Sequence, residues 1–370
     1  MFPAPPCLRA IASGLALALI CVPLTIGAIW AFPIWDDAWF WLLLDAKGTG
    51  AITTTWVDRP VMATVWSLLA MTEPAFWRAS FVAQALLWPT LGIISAILWT
   101  ILFPHLRPYA MVVGCITVAP IITKVQMVTA TIALTHLLSV VPSYGAFLLL
   151  LHFVMADGRF GRAALGLSLP MLGFGILVAE YALPVVIVMV IFFWSYARRA
   201  PDPATRARAY RAILFSTLVA GAAYAIFFVM ADFSVRRGEV SPFYIFTLGK
   251  AHLVRFPFKL VQGIWQSIVG GFVNGLAEVT LASKPGVMAA TYGALVAGLL
   301  FYGCRNPQHK AESPSGNVIS KQDVFPPAVA LVAGLLPPLQ WAASLGIPSM
   351  GCPCDLSSPC SRLRLHSQLY

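Results

Sequence analysis

The chain has 370 residues, of which 59% are hydrophobic and only 10% are charged. A soluble domain has about 25% charged residues and about 45–50% apolar ones, so this composition excludes a water-soluble globular protein. The apolar runs reach the length of about 20 residues that a helix needs to cross a bilayer, and the alternating segments of a transmembrane β-barrel are absent. The basic residues behind the net charge of +10 are spread over loops, so we expect membrane lipids as partners and no nucleic acid.

The sequence predicts an all-α, polytopic transmembrane bundle of about 9–11 helices, with amphipathic helices in its outer loops. The first apolar run, Ile11 to Ile34, follows Arg9 as in a signal peptide. The run is longer than a signal-peptide core and many spans follow it, so we expect an uncleaved first helix. The predicted spans are 11–34, 80–103, 109–123, 130–155, 163–179, 182–197, 213–231, 286–303 and 325–346, with ambiguous segments at 61–71 and 260–281.

Basic residues in the short loops predict which ends of these helices face the cytoplasm. The loops that carry them are 105–109, 156–162, 197–211 and 304–323. With this orientation, the long loop 35–79 and the region 232–285 lie on the outer side together with most of the carboxylates. Because acidic residues do little to set topology, their grouping on one side indicates either a function or ordinary solvated loops.

Two adjacent aspartates, Asp36 and Asp37, follow the first apolar run directly. A charge in a bilayer core costs about 2.5 kcal/mol or more, so carboxylates at a membrane exit need a physical explanation. A carboxylate beside a lipid face can act as a general base, and neighbouring helix positions point in different directions, so the two need not share one proton. The alternative is the N-terminal cap of a helix over 38–46.

Two further polar pairs lie beside apolar segments and are candidates for substrate binding. Asp58 and Arg59 precede a proline. A guanidinium binds phosphate through its planar fork, although the same residues also suit an ordinary helix start. Glu180 and Tyr181 lie between two apolar runs, where a carboxylate is either functional or a turn residue in water.

Two basic residues complete the candidate set. Lys124 either faces a phosphate or extends to the membrane interface, and the second behaviour is the more common one. Arg255 belongs to the segment 236–259, which mixes basic and aromatic residues. Such a segment suits an interfacial helix that meets the phosphates of a substrate or of lipids, and plain anchoring to the membrane surface is the alternative.

Motifs for nucleotide and zinc chemistry are absent from the sequence. It contains no P-loop, no dinucleotide fingerprint, no zinc-protease helix and no Gly-x-Ser-x-Gly elbow. We therefore expect no nucleotide cofactor, and this disfavours a cytoplasmic enzyme driven by nucleotides. No metal ligands are assigned, although a divalent metal at the outer acids is compatible with the pattern.

In chain order, the landmarks of the first part of the chain resemble those of the integral-membrane GT-C glycosyltransferases. They are a first span, the pair Asp36-Asp37, an aromatic helix around 39–41, a glycine break at 48–50 and the Arg59-Pro60 start of a further apolar helix. The run Ala-Glu-Tyr-Ala-Leu-Pro at 179–184 is similar to a Glu-containing segment of the protein-mannosyltransferase and bacterial lipid-sugar transferase branch.

This resemblance implies an enzyme of the bacterial inner (plasma) membrane whose site faces the periplasm. Its donor would be a sugar on a polyprenyl phosphate, and its acceptor would lie outside the cytoplasm. The resemblance also implies that Asp36 is the acid–base residue and that Asp37 is its partner. Arg59 would contact the phosphate, and Glu180 would contact the substrate. The remaining substrate-binding candidates are Asp58, Tyr181, Lys124 and Arg255.

The end of the sequence departs from this family pattern. We expect a transmembrane domain over 1–347, followed by an atypical tail over 348–370 that is rich in Cys and Ser. Its residues Cys352, Cys354 and Cys360 lack a fourth ligand and the usual spacing of a metal site. We interpret the tail as a truncated or frame-shifted end, which would leave the chain incomplete or inactive.

Two alternatives to an active transferase remain open at this point. A transporter or lipid flippase would also have polar groups along a path through the bundle, but it would place its charges in mid-span. An inactive, truncated member of the family would keep the landmarks without the activity. Loss of transfer on Asp36→Asn, with a normal amount of protein in the membrane, would separate the enzyme from both.

Overall fold

A computed structural model describes residues 11–21, 36–55, 60–72, 76–118, 130–156, 158–179, 182–200, 202–236, 291 and 294–302. Within these ranges the chain is helical and has no strand. The all-α class that the composition predicts is therefore confirmed for the described part of the chain. The predicted span 325–346, the ambiguous segment 260–281 and the tail 348–370 lie outside it.

The described ranges consist almost entirely of α-helices and one 3₁₀ helix. In chain order they are α1 (Ile11–Cys21), α2 (Asp36–Lys47), α3 (Gly50–Thr55), α4 (Pro60–Thr72), α5 (Phe76–Leu102), a 3₁₀ helix (Pro104–Tyr109), α6 (Ala110–Val118), α7 (Ala130–Met155), α8 (Arg159–Val178), α9 (Leu183–Arg199), α10 (Pro203–Arg236) and α11 (294–302). Among the described residues, four segments are long and apolar enough to cross a membrane: Arg78–Leu102, Ala133–Met155, Arg159–Val178 and Pro203–Ile226. The chain is thus a multi-pass membrane protein, as predicted.

Most predicted spans agree with helices of the structure, and the largest difference between a predicted and a described helix start is at α10. The segment 197–211, predicted to be a loop, is largely helical, because α10 begins at Pro203 rather than near 213. The side chain of Asp202 accepts hydrogen bonds from the backbone N–H groups of Ala204 (3.2 Å) and Thr205 (2.9 Å), which is the geometry of an N-terminal cap. These bonds, with that from the Thr205 hydroxyl, lower the pKa of Asp202 below its ordinary value.

The main apolar core lies between the long helices. Leu137 and Leu150 of α7, Leu172 of α8 and Met189 and Phe193 of α9 are completely buried there. Because lipid tails are as apolar as these side chains, such packing stabilises the bundle through close van der Waals contact more than through exclusion of water.

Small residues allow two pairs of helices to approach closely. A β-carbon added to Gly114 of α6 would lie only 2.5 Å from the carbonyl oxygen of Gly92 in α5. A β-carbon added to Gly175 of α8 would lie 2.6 Å from the carbonyl oxygen of Ser139 in α7. Both crossings therefore require glycine, in the manner of small-residue contacts between transmembrane helices.

The bundle has one end that is rich in arginine. The ends of α7 and α9 and the starts of α8 and α10 lie there, and the Nε group of Arg208 donates a hydrogen bond to the carbonyl of Val154 across 3.0 Å. The arginines of this end are Arg107, Arg159, Arg162, Arg198, Arg199, Arg206, Arg208 and Arg211. The start of α7 and the end of α8 lie at the opposite end, which the positive-inside rule predicts to face outward.

Candidate functional site

Of the predicted site residues, the structure describes the backbone of one pair. Asp36 and Asp37 are the first two residues of α2, so this helix begins two residues before the predicted start at 38. Carboxylates in the first helical turn are stabilised by the exposed N–H groups and the dipole of the helix. The start of a helix therefore accounts for aspartates at these two positions without a catalytic role. The other predicted site residues, Asp58, Arg59, Lys124, Glu180, Tyr181 and Arg255, lie outside the described residues.

The described neighbours of several of these residues pack together in a small apolar cluster, which we term the second core. It consists of Phe40, Ile52, Met62, Ala63, Trp66, Leu134, Val178 and Ala179. These residues come from α2, α3, α4, the start of α7 and the end of α8. The second core is therefore the place where segments that are distant in the sequence meet.

Helix α2 joins the second core through an aromatic side chain. Phe40 lies one helical turn after Asp36 and Asp37 and is only 4% exposed. Its ring centroid lies 5.3 Å from that of Trp66 in α4, at an interplanar angle of 51°. A tilted aromatic pair at this distance contributes about 0.5–1.5 kcal/mol beyond its buried area. The contact fixes the first turns of α2 against α4.

Helix α4 begins at Pro60, as the sequence predicts for a proline at the first helical position. Met62 and Ala63 follow within the first turn and are 3% and 1% exposed. Asp58 and Arg59 immediately precede Pro60 in the sequence. The chain that leads away from this pair therefore enters the second core at once.

The end of α8 packs into the second core, and Glu180 follows it closely in the sequence. Val178 and Ala179 are completely buried. The backbone turns from helical to extended at Ala179 (φ −166°, ψ 160°), which ends the helix. The hydroxyl of Ser139 in α7 donates a hydrogen bond to the carbonyl of Ala179 across 3.0 Å. This bond fixes the last described residue before Glu180 to the neighbouring helix.

The structure thus brings together the described neighbours of some predicted site residues and not of others. Segments next to Asp36 and Asp37, to Arg59 and to Glu180 share the second core. Lys124 precedes the start of α7 by several residues that are not described, and Arg255 lies within 237–290, which is not described either. Their roles in substrate binding stay predictions.

A cavity that the sequence did not predict lies at the arginine-rich end. It has a volume of about 210 Å³ and lies between the ends of α5, α7 and α9, with Ser195, Tyr196 and Arg199 as its polar lining residues. The arginines here were interpreted only as signals of topology. The cluster Trp194-Ser195-Tyr196, which a single residue separates from Arg198, was the signal in the sequence.

The chain matches no protein-family model, no curated protein and no solved structure. The resemblance to GT-C glycosyltransferases accordingly depends on the sequence landmarks alone. Among the residues that the structure describes, no group of three or more His, Cys, Asp or Glu side chains is placed to hold a metal ion.

Proposed function

We propose that the chain is an integral-membrane glycosyltransferase that moves a sugar from a polyprenyl-phosphate donor to an acceptor outside the cytoplasm. One observation carries the proposal. The segments next to Asp36 and Asp37, to Arg59 and to Glu180 meet in the second core, although they are far apart in the sequence. A transferase needs a base, a phosphate contact and a substrate contact that are held near one another, and a shared apolar anchor for the neighbouring segments supports such an arrangement.

In the proposed reaction, the acceptor oxygen attacks the anomeric carbon of the donor sugar. The bond from that carbon to the phosphate oxygen breaks, and polyprenyl phosphate leaves with the electron pair. Asp36, with Asp37 as its partner, takes the proton of the acceptor as a general base. Arg59 stabilises the charge that develops on the leaving phosphate. A single displacement of this kind inverts the anomeric centre.

Lipid extracts from cells that lack the gene test this proposal. The deletion strain is complemented with the wild-type gene, with Asp36→Asn, with Asp37→Asn and with a control, Asp45→Asn. We expect a polyprenyl-phosphate sugar to accumulate in the deletion strain and to clear with the wild-type gene. Loss of a general base costs about 100-fold or more in rate, so Asp36→Asn should leave the lipid uncleared.

Asp45 is the matched control because it belongs to the same helix α2 but lies in its last turn, where it is exposed. Asp45→Asn should clear the lipid as the wild-type gene does. All variants must reach the membrane in equal amounts. If the amount of no such lipid changes in the deletion strain, the proposed transferase activity is wrong. A transporter or an inactive protein then becomes the better interpretation.

A further inference from the structure

The cavity at the arginine-rich end combines an apolar interior with a cationic rim. Phe103, Leu151 and Val154 line it and are almost fully buried, at 1%, 3% and 1% exposure. Met155, which also lines it, is 58% exposed, so the cavity opens to the surroundings there. The exposed Arg199 lines it from the last turn of α9.

The walls of this cavity are held by specific contacts. Arg208 donates to the carbonyl of Val154 across 3.0 Å, and thereby ties α10 to the wall that α7 forms. On the other side, the indole N–H of Trp99 donates to the carbonyl of Leu106 across 3.0 Å and holds the 3₁₀ helix that follows Phe103. The cavity is therefore a built feature of the helix ends and not a gap between loosely placed side chains.

The volume limits what the cavity can hold. At about 210 Å³ it is smaller than the roughly 300–1,000 Å³ of pockets that enclose a whole small molecule. An occupant would place one apolar part inside and leave the rest outside. Membrane lipids have this shape, because their hydrocarbon chains can enter a slot while the headgroup stays at the interface.

The positive charges at this end of the bundle favour anionic lipids over neutral ones. Asp202 is the carboxylate among the described residues here, and it already caps α10. Arginine forms paired, charge-assisted hydrogen bonds to phosphate, and basic pockets between helix ends attract anionic headgroups. Arg206 and Arg208 donate to the carbonyls of Ala200 and Val154, and Arg199 lines the cavity.

We propose that this cavity binds one anionic phospholipid of the adjacent leaflet. Part of an acyl chain lies among Phe103, Leu151 and Phe192, and the phosphate meets Arg199 and the hydroxyl of Tyr196. A water-soluble phosphate compound would gain nothing from the apolar interior, which is why a lipid is the better occupant. The site lies at the end of the bundle opposite the second core, so this inference does not depend on the proposed glycosyltransferase.

Native mass spectrometry of the purified, delipidated full chain tests the site. The protein is titrated with phosphatidylglycerol and with phosphatidylcholine of identical acyl chains. We expect one phosphatidylglycerol to bind about tenfold more tightly than phosphatidylcholine, because the choline cation of phosphatidylcholine offsets the charge of its phosphate beside Arg199, whereas phosphatidylglycerol keeps a net negative charge. Inorganic phosphate in excess should not displace it. No preference for the anionic lipid, or displacement by inorganic phosphate alone, would overturn the proposal.

Three variants locate the binding. Arg199→Gln should remove the preference for phosphatidylglycerol. Ser195→Leu, which fills the cavity, should weaken the binding of both lipids. Arg162→Gln is the matched control, because Arg162 is an exposed arginine of the same end that does not line the cavity. Each variant is checked for an unchanged thermal transition. If Arg162→Gln and Arg199→Gln lose the preference for phosphatidylglycerol equally, the binding depends on general surface charge, and the proposed site is contradicted.

Discussion

At the scale of single residues, Ser139 and Ser216 have the same burial but different partners. Both side chains are completely buried. The hydroxyl of Ser216 donates to the carbonyl of Ala212 in its own helix across 2.7 Å, whereas that of Ser139 donates to the carbonyl of Ala179, 3.0 Å away on a different segment. The first bond is local and competes with the helix itself, and the second joins two helices.

We expect Ser139→Ala to lower the free energy of unfolding by about 1 kcal/mol, because the buried carbonyl of Ala179 loses a donor. Ser216→Ala should change it by less, since the carbonyl of Ala212 belongs to a regular helix. Thermal unfolding of both variants in the same detergent measures the difference. An equal effect of the two substitutions would show that the bond between the helices contributes nothing of its own.

At the scale of helices, the contact between α7 and α8 depends on a residue without a side chain. A β-carbon on Gly175 would lie 2.5 Å from the Oγ atom of Ser143 and 2.6 Å from the carbonyl oxygen of Ser139. The second atom belongs to the backbone, so a side-chain rotation cannot relieve the clash. The whole of α8 would have to move away from α7.

Gly175→Ala should therefore destabilise the protein by about 1–3 kcal/mol, the usual cost of overpacking. Gly166→Ala in the same helix is the control, because no atom lies within 4 Å of the added β-carbon there. Alanine is favoured over glycine within a helix by about 1 kcal/mol, so Gly166→Ala should keep or raise the melting temperature. If Gly175→Ala melts at the temperature of Gly166→Ala, the close approach of α7 and α8 is wrong.

At the scale of the whole molecule, the distribution of charge predicts the orientation in the membrane. The arginine-rich end should face the cytoplasm and the end with α2 should face outward. We expect a membrane-impermeant maleimide to label Asp45→Cys in intact cells of a bacterial host with a permeabilised outer membrane. Arg162→Cys should react only after the inner membrane is opened. Asp45 and Arg162 are both exposed, so accessibility within the fold does not bias the comparison.

Wild-type protein provides the background for this labelling, since it keeps all seven native cysteines. Reaction of Arg162→Cys in intact cells, without reaction of Asp45→Cys, would reverse the orientation. The proposed site at the second core would then face the cytoplasm, and an acceptor outside the cytoplasm would be excluded.

Part of the candidate site follows from local sequence alone. The start of α4 at Pro60 was predictable, because proline suits the first helical position. The start of α2 at Asp36 was predictable to within two residues, since aspartate is favoured at helix starts. The helix over 203–211 was missed because a run of arginines is typical of a loop in a membrane protein, although arginine is also a good helix former and Asp202 caps the helix.

The sequence by itself determined the class of the protein, because a bilayer requires long apolar helices and composition reveals them directly. It also determined the charge of the two ends. Only the tertiary structure decided that Phe40, Trp66 and Ala179 share one cluster and that Arg199 lines a cavity. The reason is physical: an apolar helix is apolar on most of its surface, so its sequence does not specify which neighbour it will pack against.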